Sequence, residues 1–217
     1  MTDEDLPPEA RVAIGYAGMA DRDAFASFLT LDRQLARAVA VASEPIVGQL
    51  RLAWWRDALS AEASGRPLGN PLLDAIAMAF GPLAVRLVPL VDGWEAILLS
   101  DGLEMDSIAS LSLGREEAWL ALAGAIGAPD ERTAVRHAAG RWAVADLLAG
   151  LSEPGERASV LELARGMPDD DPRLSRPLRP LAILDRLARR SFAAGGAPLL
   201  ADRAGALVAL RAGLFGR

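Results

Sequence analysis

Proline, glycine and helix-capping residues cut this chain into helix-length segments, and the apolar side chains inside those segments recur at three-and-four spacing, never in the alternation of a strand. All-α is therefore the expected fold class. The clearest breaks are Glu44-Pro45, the stretch Gly65 to Pro71, Ser100-Asp101-Gly102, Gly127-Ala128-Pro129 and the acidic loop Met167 to Pro172. Between them the spacing predicts helices near 22–43, 45–63, 71–99 with a break at Gly81-Pro82, 115–126, 130–150, 156–166, 177–194 and 199–213. Asn70-Pro71 reads as an N-cap followed by proline at the first helical position, where its missing N–H costs nothing. No repeat divides the 217 residues, so a single helical domain over 1–217 is the expectation, with a flexible N-terminus over about 1–8.

Composition narrows the chemistry. With 52% hydrophobic and 24% charged residues the chain has ample material for a core, which is not the profile of a disordered chain. It has no cysteine, so disulfides, thiolate catalysis and cysteine-held zinc or iron–sulfur sites are excluded. It has no lysine either, which removes Schiff-base chemistry and makes every basic side chain an arginine. His137, the sole histidine, stands in Arg136-His137-Ala138-Ala139 with no acid at ligand spacing, and reads as a surface or interface residue. No phosphate-loop glycine pattern occurs, and the net charge of −6 with no recognised motif argues against nucleic acid.

The acidic, prolyl start Met1-Thr2-Asp3-Glu4-Asp5-Leu6-Pro7-Pro8 lacks the basic and apolar character of a secretory signal, so a cytoplasmic protein is expected. No uninterrupted apolar run approaches the ~18 residues of a membrane span, so membrane contact would be peripheral, at the inner face. Charge is uneven: residues 173–217 carry nine arginines against Asp185 and Asp202, a balance of +7, which leaves −13 for the rest. That region can meet an anionic membrane, or its arginines can pair with the acidic loop and body.

Three aspartates fall on apolar faces. Asp32 lies amid Phe25, Phe28, Leu29, Leu35, Ala36 and Val39; Asp57 shares a side with Ile46, Leu50, Ala53, Trp54 and Ala61; Asp146 shares one with Val135, Ala139, Trp142 and Ala149. The helix carrying Asp57 has a second apolar side, Leu52, Trp55 and Leu59, and is expected to be buried almost all round. An inward carboxylate is costly unless paired, hydrogen-bonded or bound to a cation. Two readings stay open: the three carboxylates converge on one polar-lined cavity, or each is bonded to an arginine such as Arg51, Arg56 or Arg141.

The string Glu44 to Leu59, with its Leu52-Ala53-Trp54-Trp55-Arg56-Asp57 centre, resembles a signature of the squalene/phytoene synthase family. Upstream, Phe25 to Ala36 resembles that family's first helix, which in active enzymes carries two aspartates four residues apart. Downstream, Ala139-Gly140-Arg141-Trp142 to Leu148 resembles the glycine-led helix of the second acidic motif. The likeness covers roughly 20–195 and implies a shortened, single helical bundle of the isoprenoid synthase type.

In active members, two acidic motifs hold magnesium ions that bridge prenyl diphosphates, which would make Asp32 and Asp146 the metal ligands here. Four residues after Asp32, however, stands Ala36, and Asp146 is followed by Glu153 and Glu156 around Pro154-Gly155. The resemblance therefore leans to a branch similar to the assembly factor of respiratory complex I, thought not to act as a synthase, for which no metal and no cofactor is implied. It implies a binder of a partner protein or an isoprenoid-like lipid, assisting assembly of a membrane complex. The alternative is a magnesium-dependent head-to-head prenyl transferase. Asp32, Arg51, Trp54, Asp57, Arg141 and Asp146 are the candidate cavity residues; the resemblance fixes no catalytic one.

Overall fold

The computed structural model describes residues 6–42, 44–62, 65–171 and 173–216, and among these residues it is all-helical with no strand. The helices, in chain order, are α1 (Pro8–Gly15), α2 (Arg22–Ala40), α3 (Pro45–Ser60), α4 (Pro71–Phe80), α5 (Val88–Leu99), α6 (Met105–Ala125), α7 (Arg132–Gly150), α8 (Pro154–Arg165), α9 (Arg179–Ala193) and α10 (Arg203–Phe215). They group into two compact units: residues 20–127 with Leu6, and residues 7–19 with 128–216.

In the first unit, α5 packs along α6, while α2 lies against α4 and α5, and α3 against α5. Its centre is aromatic. Trp119 of α6 receives Phe28 edge-on at 5.0 Å and Phe25 at 5.9 Å between ring centres, all three fully buried. Asn70 caps α4 as its sequence suggested, its Oδ1 accepting from the backbone N–H of Leu72 and Leu73 at 3.1 Å. The break at Gly81-Pro82 is a 3₁₀ segment, Gly81–Leu87, that opens with Gly81 at φ +52°, a backbone setting only glycine adopts cheaply. Taken together, Pro71–Leu99 is 29 residues and holds an 18-residue window of mean hydropathy 1.6, enough by length and composition to cross a membrane. Here it is bent at Gly81 and packs its buried residues against α2 and α6.

Helix α6 begins at Met105, ten residues before the expected start at 115. The sequence between was hidden by Gly114, normally unfavourable inside a helix. Its place is explained by α5: a Cβ at Gly114 would run into the Pro89 carbonyl, and one at Gly93 would come within 2.7 Å of the Leu111 backbone. The two glycines let the helix backbones touch.

In the second unit, α9 is the central element. It packs on α7, α10, α1 and α8, and buries Leu181, Ile183, Leu184, Leu187 and Ala188. Helix α1 was not expected from the sequence. It is only eight residues long, too short to persist alone, and is held by burying Ala10, Ala13 and Ile14. The flexible N-terminus expected over about 1–8 falls for residues 1–5 outside the described residues; Leu6 is buried and Pro8 opens α1.

Candidate functional site

Asp32 is buried on α2, and its carboxylate is fully engaged. Arg115 of α6 approaches it with two nitrogens, Nε to Oδ1 at 3.2 Å and Nη2 to Oδ2 at 2.8 Å, and the Trp94 indole N–H of α5 donates to Oδ1 at 2.8 Å. The Arg115 guanidinium also lies over the Trp94 ring, 5.3 Å from its centre, so the three side chains form a closed cycle. The partner is an arginine, as one sequence reading required, but it is none of Arg51, Arg56 or Arg141. Arg115 was missed because the helix was started there. The sequence signal existed: Ile108, Leu111, Arg115 and Trp119 continue one apolar face, with the arginine among them.

Helix α3 corrects a second expectation. Rather than being buried all round, it hides Gly48, Leu52, Trp55, Ala58 and Leu59 and turns Ile46, Leu50, Trp54 and Asp57 outward. Both faces are apolar, and only one meets α5. Asp57 is therefore a solvated side chain on the outer face and not a cavity carboxylate. Its neighbour Arg56 reaches across to α5, bonding Asp92 at 2.9 and 2.6 Å and Glu95 at 2.6 Å. The Asp92 hydrogen bond is the main reason its guanidinium holds its proton still more firmly than usual, against the opposing effect of burial.

The outward face of α3 and the adjoining flank of α2 enclose an open groove of about 600 Å³. Val41, Val47, Leu50, Trp54 and Trp55 give it an apolar lining, and Arg37, Arg51 and Gln34 supply its polar groups. Trp54 and Trp55 stand edge to face, 4.9 Å between ring centres and 80° apart. At ~100° per residue, positions 34, 37, 38 and 41 lie about 140–240° round α2 from Asp32. The groove and the buried aspartate thus occupy opposite sides of the same helix. Arg51 and Trp54 come together in the groove; Asp32 and Asp57 do not join them.

Arg141 and Asp146 belong to the second unit. Arg141 is buried on α7, where its Nε donates to Asp185 of α9 at 2.6 Å and its Nη1 to the Pro168 carbonyl at 2.8 Å and to Asp170 at 3.1 Å. Asp185, also buried, accepts from Arg189 at 3.1 Å. His137 Nδ1 sits 2.8 Å from Asp170, so the acid that its sequence neighbourhood lacked arrives from the loop after α8. Asp146 is half-buried further along α7. These contacts make Arg141 the anchor of the acidic loop, with Arg186 bonded to Asp171 and Arg189 to Asp169 at 3.0 Å.

Magnesium, which the transferase alternative would need, requires carboxylate oxygens open to a hard cation. Asp32 does not fit that requirement, because both its oxygens are already held by a guanidinium and an indole N–H. Compared with known proteins, the chain matches no family model, no curated protein and no solved structure.

Proposed function

We propose that this chain is a non-catalytic binding protein of squalene/phytoene-synthase-like type, whose α2/α3 groove takes an isoprenoid-like lipid with an anionic head. The observation that supports this reading is the groove itself: an apolar lining with two tryptophans, and an arginine at position 51 to meet the negative group. Its volume of about 600 Å³ lies within the ~300–1,000 Å³ of small-molecule sites. Trp54 gives an apolar ligand a rigid surface to lie on, and Arg51 offers a fork of donors matched to phosphate oxygens. The role implied by the resemblance, assistance in assembling a membrane complex, is one in which such a binder would act.

Binding of farnesyl diphosphate without metal, followed by calorimetry, tests this reading. Saturable binding that Trp54→Ala and Arg51→Gln each weaken by about tenfold or more is the expected result, since one such contact is worth ~1.4 kcal/mol. Absence of saturable binding, or equal binding by the variants, rejects it. Conversion of the ligand when magnesium is added would favour the prenyl transferase instead.

A further inference from the structure

Helix α10 is built inside out. Its inward face is made of the small residues Gly205, Ala209, Ala212 and Gly213, while Leu207, Leu210, Leu214 and Phe215 point outward at 65%, 46%, 57% and 66% exposure. An ordinary surface helix does the reverse. The orientation is not slack packing. A Cβ at Gly213 would collide with the Tyr16 ring, so no large side chain can take the inward place. Both ends are tied down: Asp202 caps the first turn through the Gly205 N–H at 2.8 Å and pairs with Arg190 at 2.5 Å, and Arg179 donates to the Ala212 carbonyl at 3.2 Å.

The outward arc also carries Arg203 and Arg211, both exposed, and the helix has no acidic residue. We infer that this face of α10 is an interfacial anchor that lies in the surface of an anionic bilayer, its leucines and phenylalanine among the acyl chains and its two arginines at the headgroups. Arginine stems can lie along apolar surface while their charged ends stay among phosphates. A second copy of the same face is the poorer occupant. A two-fold contact would bring the four arginines of two helices together with no acid on either helix to pair them.

The inference narrows the expected membrane contact of residues 173–217. Arg186, Arg189 and Arg190 are committed to Asp171, Asp169, Asp185 and Asp202, which turns the inference away from the middle of α9 and towards α10. It goes beyond the α2/α3 groove and stands whether or not that groove binds a ligand.

Co-sedimentation of the full chain with phosphatidylcholine vesicles, with and without phosphatidylglycerol, tests the anchor. Wild type should sediment with the anionic vesicles at low salt and be released at high salt. Substituting Leu207→Ser, Leu214→Ser and Phe215→Ser together, which removes no buried group, should abolish sedimentation with helical circular dichroism unchanged. Arg203→Gln with Arg211→Gln should lower anionic partitioning about 30-fold, since each arginine near such a surface contributes a factor of about five. No binding at low salt, or equal binding by wild type and the serine variant, overturns the inference. So does a lipid-free dimer in sedimentation equilibrium that the serine variant dissolves, which would assign the face to a second copy.

Discussion

Asp32 and Arg115 form a two-point ion pair in the interior of the first unit, with both side chains nearly inaccessible to solvent, at 7% and 2%. Pairs of this kind and surface pairs differ in what their loss costs. Arg165 and Glu162, 71% and 74% exposed, should contribute ~0–1 kcal/mol at most. Removing one member of a buried pair instead strands a charge, at ~3–5 kcal/mol. Asp32→Asn and Arg115→Met should each destabilise by about that much in denaturant unfolding, while the double variant should cost clearly less than the two losses added, because neither charge is then stranded. Simple additivity would mean that the two residues are not coupled.

The α5/α6 contact gives a prediction of opposite sign to helix propensity. Alanine is the better helix former by ~1 kcal/mol, so Gly114→Ala in an isolated α6 should raise helicity. Within the protein it should destabilise by ~1–3 kcal/mol, because the added methyl meets the Pro89 carbonyl, which is backbone and cannot turn aside. Thermal unfolding of the variant decides between the two effects. Gly15, with nothing within reach of a Cβ and no positive φ, is the control at which alanine should be harmless.

How far the sequence could be read depended on which interactions were local. The helix type, the Gly81-Pro82 break and the Asn70 cap were legible because each is decided within a few residues. Burial of Asp32 was legible as well, since its neighbours at three-and-four spacing are Phe28, Leu29 and Leu35. Its partner was not, because Arg115 stands 83 positions away and no periodicity within α2 could name it. Helix α3 failed differently: two apolar faces looked like burial on all sides, and only tertiary packing decided that Leu52 and Leu59 go in while Leu50 and Trp54 line a groove. The same holds for α10, where small residues are inward because Tyr16 approaches Gly213, a contact between the two ends of the chain.

The N-cap of α4 can be checked without touching the core. Asn70→Ala removes the acceptor for the Leu72 and Leu73 amides and should cost ~1 kcal/mol. Asn70→Asp keeps an acceptor and adds charge at the positive helix end, so it should be neutral or slightly stabilising. Chemical denaturation of both variants tests the cap, and equal losses would show that Asn70 acts by something other than this bond.

Acid should loosen the second unit through its loop. Burial pushes the Asp170 carboxyl up, but the hydrogen bonds from His137 and Arg141 outweigh it and hold the group below its ordinary range. Asp202 is likewise held low, first by the Gly205 N–H and then, with burial opposing, by Arg190. A carboxyl whose folded pKa is depressed contributes stability that is present above its unfolded value of ~3.9 and is lost as pH falls through the folded one. The contribution should therefore be whole at neutral pH and fade below about pH 4. Amide protection over α7 and α9, taken as exchange rates corrected for the intrinsic pH dependence of exchange, should fall in that window, and Asp170→Asn should lower it already at neutral pH. The wild-type and variant rates should then converge in acid, where protonation has removed the same interaction from both. A constant ratio of rates from neutral pH down through the acid window would show that the Asp170 charge does not hold the loop.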